Sequence, residues 1–423
     1  MEHLHPAQQL ADTMGRLYTY GLTTTSGGNL SIRTSDGAVW ITPGGIDKAN
    51  LTKEDMIRID PDGTVTGKHK SSLETAFHLG IYEARKDVHA VVHAHAPATS
   101  AFCISRAAPD TSIIPQTALE CGPAVMSGYA MPGSNELREN IARQAHSGYN
   151  SILLDHHGTV TVGASMLQAL QRFEALDVCA ETQLLAGRIG VPEPAGEDLL
   201  RLFISRLSED LGTIPSSSSY RRERIELAQM AGRAYRRRLM TSTLGSLSMR
   251  VSRDAFIITP FGKDRLNLSA EDIVLVSDQG AEEGKQADLW MFLHRAAYRA
   301  DADTASVMTA MPPSAMAYAV TGETFDARTL TEAYVILRDI TEAGCKETIR
   351  NPEDVVKAMG SKRPVMLISH GGLASVGADP LQVLDRIEVA EVSMRSALSA
   401  HSLGAVQGLK DEYIQDMIRT FDL

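Results

Sequence analysis

Cysteine, aromatic residues and net positive charge are all scarce in this chain. Its 423 residues include four cysteines, 5% aromatics and a formal net charge of −11. Cys103, Cys121, Cys179 and Cys345 lie far apart and form no C-x-x-C pair. That argues against a disulfide framework or a zinc finger, and for thiols in a reducing compartment. The acidic balance disfavours nucleic acid as the main partner, because a polyanion needs a basic surface. No window approaches the ~18 apolar residues of a membrane span. The opening MEHLHPAQQLADTMGRL lacks the continuous apolar run of a secretory signal. The expectation is a cytoplasmic protein that engages neither membrane nor nucleic acid. What remains is 43% hydrophobic and 22% charged, as in soluble globular proteins, at a length that calls for more than one core.

An internal repeat supplies the division. LADTMGRLYTYGLTTTSGGNLSIR (10–33) lies over LAQMAGRAYRRRLMTSTLGSLSMR (227–250) without gaps, with eleven of 24 positions identical. The register continues from VWITPGGIDKANLTKEDMI to FIITPFGKDRLNLSAEDIV, and later from ILLDHHGTVTVG to MLISHGGLASVG. The chain therefore reads as two copies of one unit, with domains at 1–210 and 225–423 and a Ser/Pro-rich linker at 211–224. Each copy opens with a helical pattern. Short β-rich runs follow (LSIR, AVWITP), then a helix over 70–85, a strand over 88–95, and a long amphipathic helix over 167–187. Strands broken by helices in this way suggest a mixed α/β layer fold.

In an extended strand side chains alternate faces, so His93 and His95 of VVHAHAP point the same way. Two imidazoles at i, i+2 suit a divalent metal. Taken alone they equally suit a pair of polar strand residues hydrogen-bonded at an edge. A third imidazole comes from SILLDHHGTVTVG, where His156 and His157 sit in a tight turn between two apolar runs. Only one of the two is expected to face the first pair. Asp155 either orients a ligand imidazole or is a turn residue. The repeat acts as a control, because histidines needed by the fold should recur in both copies. The second copy has Thr309, Met311 and Gly371 at these places, a joint loss that fits one shared task.

KSSLETAFHLGIYEAR carries Ser71 and Glu74 at capping-box spacing. Alternatively, Glu74 is a carboxylate beside a metal, serving as general acid/base. The second copy has Trp290 there. SGGN (26–29) and TPGG (42–45) are glycine turns that present backbone N–H groups suited to an anion, or are ordinary loops.

Taken in order, SGGNLS, ITPGG, SSLE, HAHA, SGYAMPGS and HHG resemble the class II aldolase/adducin family across nearly all of the first copy. The second copy follows the same pattern without the chemistry. The resemblance implies two tandem α/β/α domains, each around a central, mostly antiparallel sheet. It implies a divalent metal, zinc or another such as Mn2+, on His93, His95 and His157, with Glu74 as the metal-proximal acid/base. Gly28, Asn29, Gly44, Gly45, Ser71 and Ser72 fall in segments that hold a substrate phosphate. The family's aldolases often have Ser-Ser directly before the glutamate. Here Leu73 intervenes and displaces one hydroxyl.

Family aldolases are cyclic tetramers in which a neighbour's tyrosine donates a proton. IIPQTALEC (113–121) has no tyrosine, whereas the corresponding RTLTEAYVILRDI (328–340) has Tyr334, a candidate for that donor or a packing residue. A homodimer would then imitate a four-domain ring. The arginine-rich 220–239 stretch reads as a solvated helix face or a patch for an acidic partner. The resemblance implies a lyase that cleaves a C–C bond of a small sugar phosphate or sugar acid through a metal-stabilised enediolate. Decarboxylation and epimerisation use the same residues. A non-catalytic adducin-like module or a sugar-phosphate sensor are the rival classes.

Overall fold

The computed structural model describes residues 3–209 and 211–421. The chain divides into two compact units. The first comprises Met1–Ser112 with Thr117–Glu181, and the second Thr182–Leu423 with Ile113–Gln116.

The first unit is built on an eight-stranded sheet. Its strands are β1 (Asn29–Arg33), β2 (Val39–Ile41), β3 (Ile57–Ile59), β4 (Val65–Thr66), β5 (Ala90–Ala94), β6 (Ala124–Ser127), β7 (Ser151–Leu154) and β8 (Thr159–Gly163). The spatial order is β4-β3-β2-β1-β5-β8-β7-β6. Every pair is antiparallel except β6 with β7. The expected mostly antiparallel α/β architecture is what the chain adopts.

Helices cover both faces because the strands alternate apolar residues to both sides. The helices are α1 (Pro6–Thr19), α2 (Thr75–Ala84), α3 (Pro97–Ser105), α4 (Pro115–Cys121), α5 (Asn135–His146) and α6 (Met166–Ala186). Leu10, Met14 and Leu17 of α1 pack with Leu170 and Phe173 of α6 against Leu30, Ile32, Ala90, Val92 and Ala94. Phe77 and Ile81 of α2 and Leu137 and Ile141 of α5 pack on the other face, against Val91, Ile152, Val160 and Val162. His93 follows the parity of Val91 and so emerges on the α2 face, where the Phe77 ring meets it edge-on at 5.5 Å.

The second unit has a nine-stranded sheet. Its strands are β9 (Thr213–Ile214), β10 (Ser246–Ser252), β11 (Ala255–Ile258), β12 (Val274–Ser277), β13 (Gly280–Glu282), β14 (Ser306–Ala310), β15 (Thr341–Ala343), β16 (Val365–Ile368) and β17 (Gly372–Gly377). The order β15-β16-β17-β14-β10-β11-β12-β13-β9 repeats the first sheet and adds β9 at one edge. The stretch expected as a linker therefore holds a strand, parallel to β13, and the helix Arg221–Arg236 begins within it. The compact division falls at Thr182 rather than at 210. Leu199 and Phe203 of the helix Glu197–Leu207 are buried in the second unit. There the Phe203 ring stands edge-on to Trp290, with centroids 5.6 Å apart.

No described helix is long and apolar enough to cross a membrane. All four cysteines are free and buried.

Candidate metal centre and its degenerate copy

Strand register assembles the centre in the first unit. Asn29 on β1 lies opposite His93 on β5, and Ala94 lies opposite Thr159 on β8. His95 follows directly after β5, and His157 sits in the turn between β7 and β8. His93, His95 and His157 offer ring nitrogens that all lie within 4.8 Å of one another, a group that could hold a metal ion. The Nε2 atoms of His93 and His95 are 3.2 Å apart. Glu74 brings its carboxylate to the same point, Oε2 at 3.3 Å from His93 Nε2 and Oε1 at 3.0 Å from His157 Nε2.

Hydrogen bonding fixes which nitrogen of His93 faces the cluster. Its Nδ1 is 3.1 Å from the Thr159 carbonyl oxygen. A carbonyl only accepts, so Nδ1 carries the proton and Nε2 keeps a lone pair directed at its neighbours. Lone pairs and a carboxylate facing one another repel unless a proton or a metal cation lies among them. That donor set fits a divalent metal with nitrogen and oxygen ligands. Burial, reinforced by His93 and His157, pushes His95 down to about 4, so its imidazole stays neutral as a ligand must. Burial opposes the ionisation of Glu74, but His93 and His157 outweigh it and hold the carboxyl well below the usual carboxylate range.

Close packing keeps the three rings together. A Cβ on Gly158 would lie 2.9 Å from the Ala94 carbonyl oxygen and 3.1 Å from His95 Nε2. The turn thus needs glycine after His157. Of the two turn histidines, His157 joins the cluster. His156 takes a left-handed conformation, φ 57°, and pairs with Asp155 outside it. Asp155 also binds Arg106 Nε at 3.1 Å, so it orients none of the three clustered imidazoles. His157 Nδ1 is buried with no hydrogen-bond partner among the described residues.

Glu74 is not part of a capping box. It immediately precedes α2 and makes no side-chain cap, and its backbone N–H donates to Ser72 Oγ at 3.3 Å. The carboxylate is held instead from β1, where Asn29 Nδ2 donates to Glu74 Oε2 at 2.6 Å and to Ser72 Oγ at 3.1 Å. Behind Asn29 runs a buried chain. Tyr82 and Ser31 hydroxyls meet at 2.7 Å, Ser31 Oγ meets His78 Nδ1 at 2.7 Å, and His78 Nε2 meets Asn29 Oδ1 at 2.5 Å. Because an ionised carboxylate only accepts, every donor in the series points toward Glu74.

The three phosphate-type segments come together beside this. Pro43 bridges Ser71, and Gly44 N–H donates to the Lys70 carbonyl at 3.1 Å. Gly28 and Gly45 have φ of 72° and 69°. Sequence reasoning missed Lys48, whose buried ammonium donates to the Pro43 carbonyl at 2.5 Å and pins the glycine turn. Burial pushes it down to about 8, against the pull of Glu74. A signal was present, because the second copy has a cation at the matching place. Arg265 donates to the Pro260 carbonyl at 2.6 Å and to Asp288 at 2.7 Å.

The second unit keeps the scaffold and loses the ligands. Ser248 meets Tyr298 and His294 Nδ1 at 2.6 Å each, and His294 Nε2 meets Ser246 at 2.7 Å. Ser246 pairs with Thr309 in the register of Asn29 with His93. The histidine that serves the fold therefore recurs, and the metal-type histidines do not. Trp290 fills the position of Glu74 and is 2% exposed. A Cβ on Gly371 would lie 3.1 Å from its ring, so apolar packing occupies the place of the cluster. Tyr334 lies on the helix Thr331–Leu337 of the second unit, apart in the chain from every other expected site residue.

The class II aldolase and adducin N-terminal domain family matches residues 8–184 and again 225–398. The chain belongs to the class II aldolase and adducin family. A 5-methylthioribulose-1-phosphate/5-deoxyribulose-1-phosphate aldolase of Rhodospirillum rubrum is 36% identical over 192 residues, 44% of this chain and 85% of the relative. A 3-oxo-tetronate 4-phosphate decarboxylase of Haemophilus influenzae is 32% identical over 41% of this chain and 85% of its own length. The L-fuculose phosphate aldolase of Escherichia coli K12 is 32% identical over 47% and 91%. A solved L-fuculose 1-phosphate aldolase is 29% identical, with a TM-score of 0.43 over 47% of this chain and 93% of that one. These class II aldolase relatives are aldehyde- and carboxy-lyases, and this two-copy member of the family is a lyase.

Proposed function

We propose that the first unit holds one divalent metal, zinc in the first instance, on His93, His95 and His157, and cleaves a C–C bond in a phosphorylated ketose or sugar acid. The convergence of three imidazoles, two of them in contact with the Glu74 carboxylate, carries this reading. A metal bound there supplies Lewis-acid polarisation of a substrate carbonyl, which lowers the cost of negative charge developing beside it. Glu74 moves the proton at that carbon, and Asn29 holds its carboxylate in the required direction. Gly28, Asn29, Gly44, Gly45, Ser71 and Ser72 receive the phosphate, with Lys48 fixing the turn that carries Gly44 and Gly45. Tyr334 is the candidate proton donor to the leaving aldehyde oxygen. In this reading the protein works in the cytoplasm, in keeping with its free cysteines, and as a homodimer.

Decarboxylation of a keto sugar acid is the second reading, favoured by similarity to the 3-oxo-tetronate 4-phosphate decarboxylase. Assays of the metal-loaded chain with ketose 1-phosphates and with 3-oxo-tetronate 4-phosphate separate the two, by aldehyde against CO2 release. Glu74→Gln should retain the metal and lose about 10²–10⁴-fold in turnover. Undiminished turnover would remove Glu74 from the chemistry. Tyr334→Phe at wild-type rate would remove Tyr334.

A further inference from the structure

The second unit carries a cavity of about 320 Å³ far along the chain from any catalytic-type residue of the first unit. Arg250, Arg253, Arg295 and Arg299 line it, against Asp254 and Asp278. The repeat shows which of these arginines the fold requires. Arg250 stacks on Tyr298 at 5.0 Å and donates to the Tyr298 carbonyl, as Arg33 stacks on Tyr82 at 5.1 Å and donates to the Tyr82 carbonyl. That pair is common scaffold, and it fixes the correspondence of the neighbours. Arg253 stands where the first unit has Asp36, Arg295 where it has Leu79, and Arg299 where it has Glu83. Two carboxylates and a leucine have become three guanidinium groups.

The added cations are only partly taken up by internal partners. Arg299 binds Asp278 at 2.6 Å. Arg253 makes no ion pair among the described residues and is exposed. Arg295 is the unusual member, because its Nε and Nη2 are buried without any hydrogen-bond partner. Burial and the neighbouring Arg299 act against its charge, and Asp278, Glu209 and Glu353 at longer range act for it without satisfying its donors. An unsatisfied guanidinium beside a second cation is costly unless an external acceptor completes it.

We propose that this cavity of the second unit binds a compact phosphate dianion, free or as the end of a small phosphate ester, on Arg253 and Arg295. The planar forks of two arginines match the several acceptor oxygens of a tetrahedral dianion better than a single carboxylate does. The inference does not depend on the chemistry assigned to the first unit.

The test is calorimetric titration of the full chain with inorganic phosphate and with glycerol 3-phosphate, at low ionic strength. Wild type is compared with Arg253→Asp/Arg295→Leu. These replacements are the residues the first unit carries in the same fold, and Arg295→Leu alone serves if the pair lowers the melting temperature. The first unit is unaltered, so any phosphate it holds cancels between the two proteins. The wild type is expected to take up phosphate or the ester at a site whose affinity falls at least about tenfold in the variant, with metal content unchanged. Superimposable isotherms would overturn the proposal. So would saturation by an acidic peptide or nucleic acid with no uptake of either phosphate.

Discussion

His93 donates its Nδ1 proton to the Thr159 carbonyl, 3.1 Å away across the β5–β8 ladder. This contact turns a strand residue into a directed ligand, because it leaves the Nε2 lone pair aimed at His95, His157 and Glu74. A sheet register thus decides which nitrogen of a metal-type imidazole faces the centre.

The glycine that follows His157 gives the first prediction. In Gly158→Ala the new methyl group meets both the His95 ring and the Ala94 carbonyl. The expected result is a metal affinity about 10–100-fold weaker, with the far-ultraviolet circular dichroism unchanged. Chelator competition on the two proteins measures it. An unchanged affinity would mean that the rings do not need this packing.

Trp290 tests the claim that the second unit has exchanged a polar site for core. Its ring packs on Phe203 and Phe292 and is almost fully buried. Trp290→Ala should lower stability by about 3–5 kcal/mol, read from urea unfolding of the second transition if the units melt separately. A loss under about 1 kcal/mol would contradict a packing role.

His294 predicts a pH dependence. Burial pushes it down to about 3, from an ordinary value of 6.5. Between these values the unfolded chain binds a proton that the folded chain refuses. Stability is therefore fully present above about pH 6.5 and is lost as pH falls toward 3, by roughly 1 kcal/mol per pH unit. In His294→Asn the slope over pH 4–6 should be shallower by about that amount. Equal slopes in the two proteins would show that His294 is not held neutral.

Much of this is legible in the sequence, and the reasons are local. Parity along β5 put His93 and His95 on one face, and the shared TP turn and flanks of the two copies announced the duplication. The capping-box spacing of Ser71 and Glu74 misleads, because a carboxylate can satisfy a helix end or a cation, and here the imidazoles compete more strongly. Lys48 and His78 went unnoticed although their counterparts Arg265 and His294 recur, since recurrence marks scaffold and a site also needs scaffold. The expected first domain, 1–210, takes in the helix Glu197–Leu207, which the structure gives to the second unit. An amphipathic helix between two similar domains does not say whose core it will cover; here the Phe203–Trp290 and Arg206–Phe292 contacts tie it to the second unit.

The central claim is that one copy of the duplicated unit kept a metal centre and the other filled its own with side chains. Divalent metal per chain in the purified full-length protein, measured by inductively coupled plasma mass spectrometry, tests it most directly. The account predicts one ion per chain, lost in His93→Ala/His157→Ala and retained in Trp290→Ala. Two ions per chain, or one that survives removal of those histidines, would contradict it.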